Sequence, residues 1–485
     1  MTKRLGCIVA LTTVIISSLH AEIELPEIFS DNMVLQRNTS AHMWGWSSPD
    51  SRITVRTDWN DSIFSTLSDE EGKWDIRIDT PEGGYATRKI VVSGDNSEIT
   101  LENVLIGDVW FCSGQSNMEM PLRGFGSSPV EGAAETIAYS GRNKGVRVAT
   151  VPLTQSYEVQ DRVPGKWMIS SPENAGGFSA VGYYFAEALN RITDVPIGIV
   201  VCAYGGSKLE SWLPEWKVRE YGDKYDVALE KTLTDEETKR WERMVVDYNA
   251  MLHPLIGLSI KGFLWNQGEA NVGMHEDYAQ HLKDLVELWR SEWGQGDLPF
   301  YFVEIPGWSY GDPDGTVAAM LRESQHEAAK MIPNCEIVST ADLTYPYEVN
   351  EIHARQKRPI GERLAFVAAA KDYGVKGVPN EYPTFEKISV DGNKAVVYFT
   401  QPNQGLNPAS ELQGFEVAGE DRRFYPVIAT CDWDFDENRF KINITSDDVG
   451  DIKSVRYGFR NFYPARVKDS MGMPLVPFRT DSWEK

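Results

Sequence analysis

Four separated stretches of this sequence carry side chains suited to acyl transfer. The first, Gly114-Gln-Ser-Asn-Met-Glu119, sets Ser116 just past the apolar run Val109 to Cys112. A serine beyond a buried strand, with a glycine two residues before it, presents a hydroxyl at a sheet edge where a nucleophile is useful. Met118 stands where a G-x-S-x-G elbow needs its second glycine, which argues against the α/β-hydrolase turn. The second stretch is Gly205-Gly-Ser-Lys-Leu-Glu-Ser-Trp212, the third Asn266-Gln-Gly-Glu-Ala-Asn271, and the fourth Glu348-Val-Asn-Glu-Ile-His353.

A hydroxyl nucleophile needs a base to take its proton and donors to meet the oxyanion that develops. His353 is the candidate base, because imidazole titrates near neutrality. Gly205-Gly206 permits a tight turn that aims a backbone N–H, and the Gln267 amide offers a further donor. Taken singly, each has a plainer use. The glycine pair turns the chain, Gln267 and Glu269 cap a helix, and His353 sits on a surface loop. Four strand-end loops bearing complementary groups favour one shared site. His253, His275, His281 and His326 fall in an apolar run or on helical stretches, where they suit the role less.

The elements that must bring these loops together are legible in the periodicity. From Gly107, apolar runs at Val146–Thr150, Ile197–Ala203, 260–265, 299–303 and 336–339 alternate with stretches of helical spacing at 179–190, 276–289 and 361–370. This predicts an α/β, doubly wound, mostly parallel sheet, whose strand-end loops share the face where ligands bind. Residues 22–106 read as short alternating strands between Pro, Gly and Asp turns, a small β-sandwich-like domain. A second β domain is expected over 376–485, leaving 107–375 for the catalytic unit. Lys217–Val246, rich in both charge signs, reads as solvated helix outside the sheet.

The formal net charge of −23 disfavours nucleic acid and anionic membrane as partners. Lys3 and Arg4, the apolar run from Leu5 to Ile16 and a cut after Ala21 read as an export signal over 1–21, so a periplasmic or extracellular location is expected. Cys112, Cys202, Cys335 and Cys431 lack metal-ligand spacing and are expected as buried thiols, although neighbouring strands would let Cys112 and Cys202 meet. No dinucleotide fingerprint, phosphate loop or metal cluster calls for a cofactor.

The blocks Gly114-Gln-Ser-Asn-Met-Glu119, Tyr204-Gly-Gly-Ser with Glu210-Ser-Trp212, Trp265-Asn-Gln-Gly-Glu-Ala-Asn271, and Ile352-His353 with Gly361-Glu-Arg-Leu364 resemble the sialate O-acetylesterase family of the SGNH hydrolases, which includes related acetylxylan esterases. The resemblance extends from Leu25-Pro to Pro477-Phe-Arg-Thr-Asp-Ser-Trp483. It implies a metal-independent carbohydrate O-acetylesterase with an SGNH (flavodoxin-like) catalytic domain and an O-acetylated sugar as substrate. Ser116 would be the nucleophile and His353 the base, then acid. The Ser116 N–H, the Gly205-Gly206 turn and Gln267 would form the oxyanion hole, with Gln115, Asn117, Glu269 and Trp212 toward the substrate.

Many SGNH enzymes place Asp three residues before the histidine, where this chain has Asn350. Glu351 is the first candidate for the group that orients His353, followed by Asn350 as a neutral acceptor, with a Ser–His dyad helped by a backbone carbonyl as the third arrangement. Acetylated sialate and acetylated plant polysaccharide compete as substrates; Lys208 or Arg123 would suit the first, and stacking on Trp212 or Trp265 the second. A catalytically impaired carbohydrate-binding relative is the alternative of a different class.

Overall fold

The computed structural model describes residues 22–483, so the expected export segment lies outside the described residues. One strand, Ser97–Gly114, organises the described chain. Its first half alternates between exposed and buried positions and pairs antiparallel with Gly84–Gly94. From Val104 onward it is buried at every position, and it pairs parallel with Ile197–Ala203 from Asp108 on one side and with Gly262–Asn266 from Trp110 on the other. Alternation gives way to continuous burial once both faces of a sheet are covered. The strand therefore runs unbroken through Gly107, where the change of sequence pattern falls.

The parallel part of the sheet has the order Cys335–Val338, Phe300–Val303, Gly262–Asn266, Ser97–Gly114, Ile197–Ala203, Val146–Thr150, with Trp167–Ile169 antiparallel at the edge. On one side of the long strand the chain first places Val146–Thr150 two positions away and then returns to fill the gap with Ile197–Ala203; it afterwards builds outward on the other side. The switch point, and the crevice that goes with it, thus lies at the carboxyl end of Ser97–Gly114. Trp110 and Cys112 point into a core with Val181, Phe185, Leu364 and Ala368, from the helices Ala180–Thr193 and Lys357–Asp372. Val109 and Phe111 point the other way, against Leu285, Trp289 and Trp293 of the helix His275–Trp293.

The same alternation settles the cysteines. All four are free and buried. Cys112 is level with Val201 rather than Cys202, and the two thiols enter cores on opposite faces of the sheet. A one-residue offset between neighbouring strands reverses the face, so the bridge that adjacency allowed does not form.

In the amino-terminal region the ribbon Ser40–Trp46 with Lys73–Asp79 turns Ala41, Met43, Ile76 and Ile78 into one core with Ile53, Val55, Ile90 and Val92. At the carboxyl end, seven antiparallel strands from Phe385–Asp391 to Phe478–Arg479 enclose Val397, Phe415, Ile442 and Val455. Asp342 ties that sheet to the parallel one. It accepts from both terminal nitrogens of Arg363 and pairs with Lys468 at 2.6 Å.

Residues 217–246 correct one expectation. In place of a solvated helix there are single turns at Glu215–Val218 and Val227–Glu230 with short 3-10 turns between. Gly222 at φ +86° and the Asp226 side chain, which caps Leu229 N–H, interrupt the helix before a second turn can form.

Candidate active site

Gly114 closes the long strand level with Ala203 and Asn266, so three of the four chemistry-bearing loops leave the sheet together. A β-carbon on Gly114 would lie 2.2 Å from the Asn266 carbonyl oxygen, at φ +132°, so only glycine fits this crossing. The chain then turns into the one-turn helix Ser116–Glu119, which leaves the Ser116 N–H outside any intrahelical bond. Ser179, the cap of the helix Ala180–Thr193, donates its hydroxyl to the Met118 carbonyl at 2.6 Å and fixes that turn from behind.

The fourth loop returns over this turn. His353 Nε2 lies 2.9 Å from Ser116 Oγ. For the serine hydroxyl to donate to Nε2, as a general base requires, the ring proton must sit on Nδ1. The loop is held at its base by Arg355 Nε, which donates to Glu348 Oε1 at 2.7 Å, and by Glu351 N–H, which donates to the Glu348 carbonyl. Phe125 packs edge-on against the imidazole at 5.1 Å.

Neither predicted orienting side chain bonds to the imidazole. The Glu351 carboxylate is 3.8 Å from Nδ1, beyond hydrogen-bond reach, and accepts instead from the His353 N–H and from Ser128 Oγ, both at 3.0 Å. Asn350 accepts from Ser309 Oγ. Glu351 thus shapes the loop and adds negative charge without gripping the ring. Burial lowers the His353 pKa below its ordinary value; the Lys357 cation pushes the same way and Glu351 opposes them.

Lys357 was not legible as a site residue. In sequence it is one cation of the basic run Arg355-Gln-Lys-Arg358. It is 1% exposed, and its ammonium donates to Asn117 Oδ1. Burial brings its pKa down to about 8. The Asn117 amide nitrogen donates in turn to Glu269 and to the Ile352 carbonyl. Asn117 and Glu269, expected at the substrate, are therefore buried links that join the nucleophile's neighbour to the base's neighbour.

Three further expectations are corrected in the same way. Gln115 is 2% exposed and its carbonyl oxygen accepts from the N–H groups of Gly268 and Ala270, so it braces two loops. Gln267 is fully buried and spends both amide hydrogens, on the Ser207 carbonyl and on Asn271 Oδ1, so none remains for an oxyanion. Trp212 is fully buried, donates to Ser207 Oγ and packs edge-on against Trp265, leaving no face for a sugar; Trp265 is equally enclosed. An intact frame of short polar groups needs apolar walls behind it, and the two indoles supply them.

Gly205 does reach the nucleophile. A β-carbon there would stand 3.5 Å from Ser116 Cβ and 2.9 Å from a Glu119 carboxylate oxygen. Glu119, like Lys357, escaped the sequence reading. Burial raises its pKa while the Gly205 N–H, which faces it, pulls the other way. Gly206, at φ +81°, turns the chain under the Trp241 ring. A nucleophile–base pair and a glycine turn within contact of it now stand together.

The family model for carbohydrate esterases described as sialic acid-specific acetylesterase matches residues 106–370. The chain belongs to this family. It is a carboxylic ester hydrolase of the carbohydrate esterase class. The sialate O-acetylesterase of Mus musculus is 27% identical over 93% of each chain, and that of Homo sapiens is 26% identical over 80% of this chain and 78% of its own. The crystal structure of a carbohydrate acetylesterase from Xanthomonas citri superposes with a TM-score of 0.82 at 33% identity, over 95% of this esterase and 100% of that chain. The matched span of the family model includes all four chemistry-bearing loops and both arms of the Ser116–His353 pair.

Proposed function

We propose that this esterase removes O-acetyl groups from sugars, with acetylated sialate as its substrate, through an acetyl-enzyme on Ser116. The observation that carries the reading is the 2.9 Å contact between Ser116 Oγ and His353 Nε2. His353 takes the hydroxyl proton as Oγ attacks the acetyl carbonyl, then gives it to the departing sugar oxygen. Water, deprotonated by the same imidazole, releases acetate. The Ser116 N–H and the Gly206 N–H of the glycine turn are the oxyanion donors in this scheme, the Gly205 N–H being engaged by Glu119. The His353 ring is held by its loop and by Phe125, so the pair works as a dyad with Glu351 as a remote charge. Catalysis belongs to residues 107–375, with β-rich units at 22–106 and 376–485, and the protein acts after export.

Two features favour sialate over plant polysaccharide. The tryptophans that would stack on a neutral chain are buried, while Arg123 is exposed two residues before the Phe125 ring that touches His353, where it can meet a sugar carboxylate. The deciding experiment is acetate release from O-acetylated sialic acid and from acetylated xylan by the wild type and Ser116→Ala. Turnover of the sialate that vanishes in the variant supports the reading. Turnover that survives the substitution removes Ser116 from it, and faster release from xylan replaces the substrate.

A further inference from the structure

The amino-terminal ribbon carries a cleft that the acyl chemistry does not use. It encloses 460 Å³ between Ser40–Trp46, Lys73–Asp79 and the segment His253-Pro254, with Trp44, Trp46 and Trp74 in its walls. That segment leads into the amino end of the strand Gly262–Asn266, whereas Gln267 and Ser116 leave the carboxyl ends of their strands. Cleft and nucleophile therefore lie at opposite ends of the parallel sheet.

We infer that this cleft is a second carbohydrate site, which binds uncharged pyranose units of a glycan. Alternation along the strand sends Ala41, Met43 and Gly45 inward and leaves Trp44 and Trp46 half-buried on the outer face, opposite Asp75 and Lys73. Both indoles are fixed before any ligand arrives. Phe29 packs edge-on against Trp44 at 4.8 Å, and the Arg162 guanidinium lies 3.9 Å from the Trp46 ring centre. Rigid aromatic walls with a few polar groups at the rim, in a cleft of this volume, are the makings of a small-ligand site.

The polar groups select the ligand. Asp69, Asp75 and Asp161 line the cleft with Lys73 as their cation, and Lys73 is bound to Asp161 at 2.8 Å. An anionic sugar meets net negative charge there and is disfavoured. The carboxylates are also engaged: Asp161 by Lys73, Asp75 beside His42 at 3.7 Å, and Asp69 by the N–H groups of Glu71 and Lys73. None is left bare for a free cation, yet each keeps lone pairs for hydroxyl donors. His253 Nδ1 donates to the Gln160 carbonyl, which fixes the ring at the rim of the cleft. Carboxylate acceptors and aromatic faces match a ligand made of hydroxyls and C–H faces without charge.

Isothermal titration of full-length Ser116→Ala with cellohexaose, xylohexaose and sialyllactose tests this, alongside the same protein carrying Trp44→Ala and Trp46→Ala. Binding of a neutral hexaose that weakens about tenfold or more when the two indoles are removed is the expected result. In the Ser116 background, the tryptophan pair should leave acetate release from a small soluble acetyl ester unchanged. If that double variant fails to fold, Asp75→Asn and Asp161→Asn, both on exposed side chains, are read instead and should weaken hexaose binding. No binding of either hexaose, binding indifferent to all these substitutions, or binding of sialyllactose or of choline, as a cationic probe, that the tryptophan pair abolishes would overturn the inference. Loss of Ser116-dependent turnover would count against the proposed acetylesterase and leave this result standing.

Discussion

Ser116 and His353 are 237 positions apart, and their reacting atoms are 2.9 Å apart. The contact exists because a long strand delivers the first residue to the switch point and a clamped loop lowers the second onto it. Replacing either side chain with Ala should reduce kcat for acetate release by roughly four orders of magnitude while thermal unfolding barely moves. A variant of Ser116 that keeps even a tenth of the activity would show that another group attacks.

Glu351 contacts its own loop and only faces the imidazole across 3.8 Å. Glu351→Gln should therefore cost about tenfold in kcat/KM, far less than loss of the nucleophile. Equal and complete loss in both variants would make Glu351 an indispensable third member.

The acidic limb of the pH–rate profile offers a test with opposite signs. The base must be neutral, and its pKa lies below the ordinary imidazole value, so activity persists further into acid than an unperturbed histidine allows. Lys357→Met removes a cation that holds this pKa down, and the limb should move to higher pH. Glu351→Gln removes an anion that holds it up, and the limb should move lower. Profiles of kcat/KM that stay put in both variants would mean that His353 does not set the limb.

Gly205→Ala puts a methyl group against Ser116 Cβ and the Glu119 carboxylate. Expected is a fall in kcat of about a hundredfold with KM and melting temperature nearly unchanged, because the reacting geometry is displaced and the fold is not. A variant with full kcat would place the glycine turn outside the site.

Gln267 behaves as a strut between the second and third loops. Gln267→Ala removes the amide that donates to the buried Ser207 carbonyl and to Asn271 Oδ1, at a cost of about 1–3 kcal/mol in stability measured by denaturant unfolding. Unchanged stability with a large loss of kcat would restore it as an oxyanion donor.

The local grammar of the chain was sufficient for much of this. Strands at Val146–Thr150 and Ile197–Ala203 and the helix at Ala180–Thr193 follow from apolar spacing, because burial of one stripe or one face is a local demand. Ser116 and His353 could be chosen because their chemistry is intrinsic to the residue type. What a polar residue does in the site is another matter. Gln115, Asn117, Gln267 and Glu269 look like substrate contacts in a motif, yet each is spent on other loops of the protein. A hydrogen-bond partner some 150 residues away leaves no periodic trace. Lys357 looks like surface charge and is buried for the same reason: its acceptor comes from another turn of the chain. The sequence alone determined which groups could react and which segments would be sheet or helix, since both depend on side-chain chemistry and near neighbours. Only the tertiary structure decided which polar groups face the substrate and which brace the loops, because donors and acceptors are allotted between segments that meet through the fold.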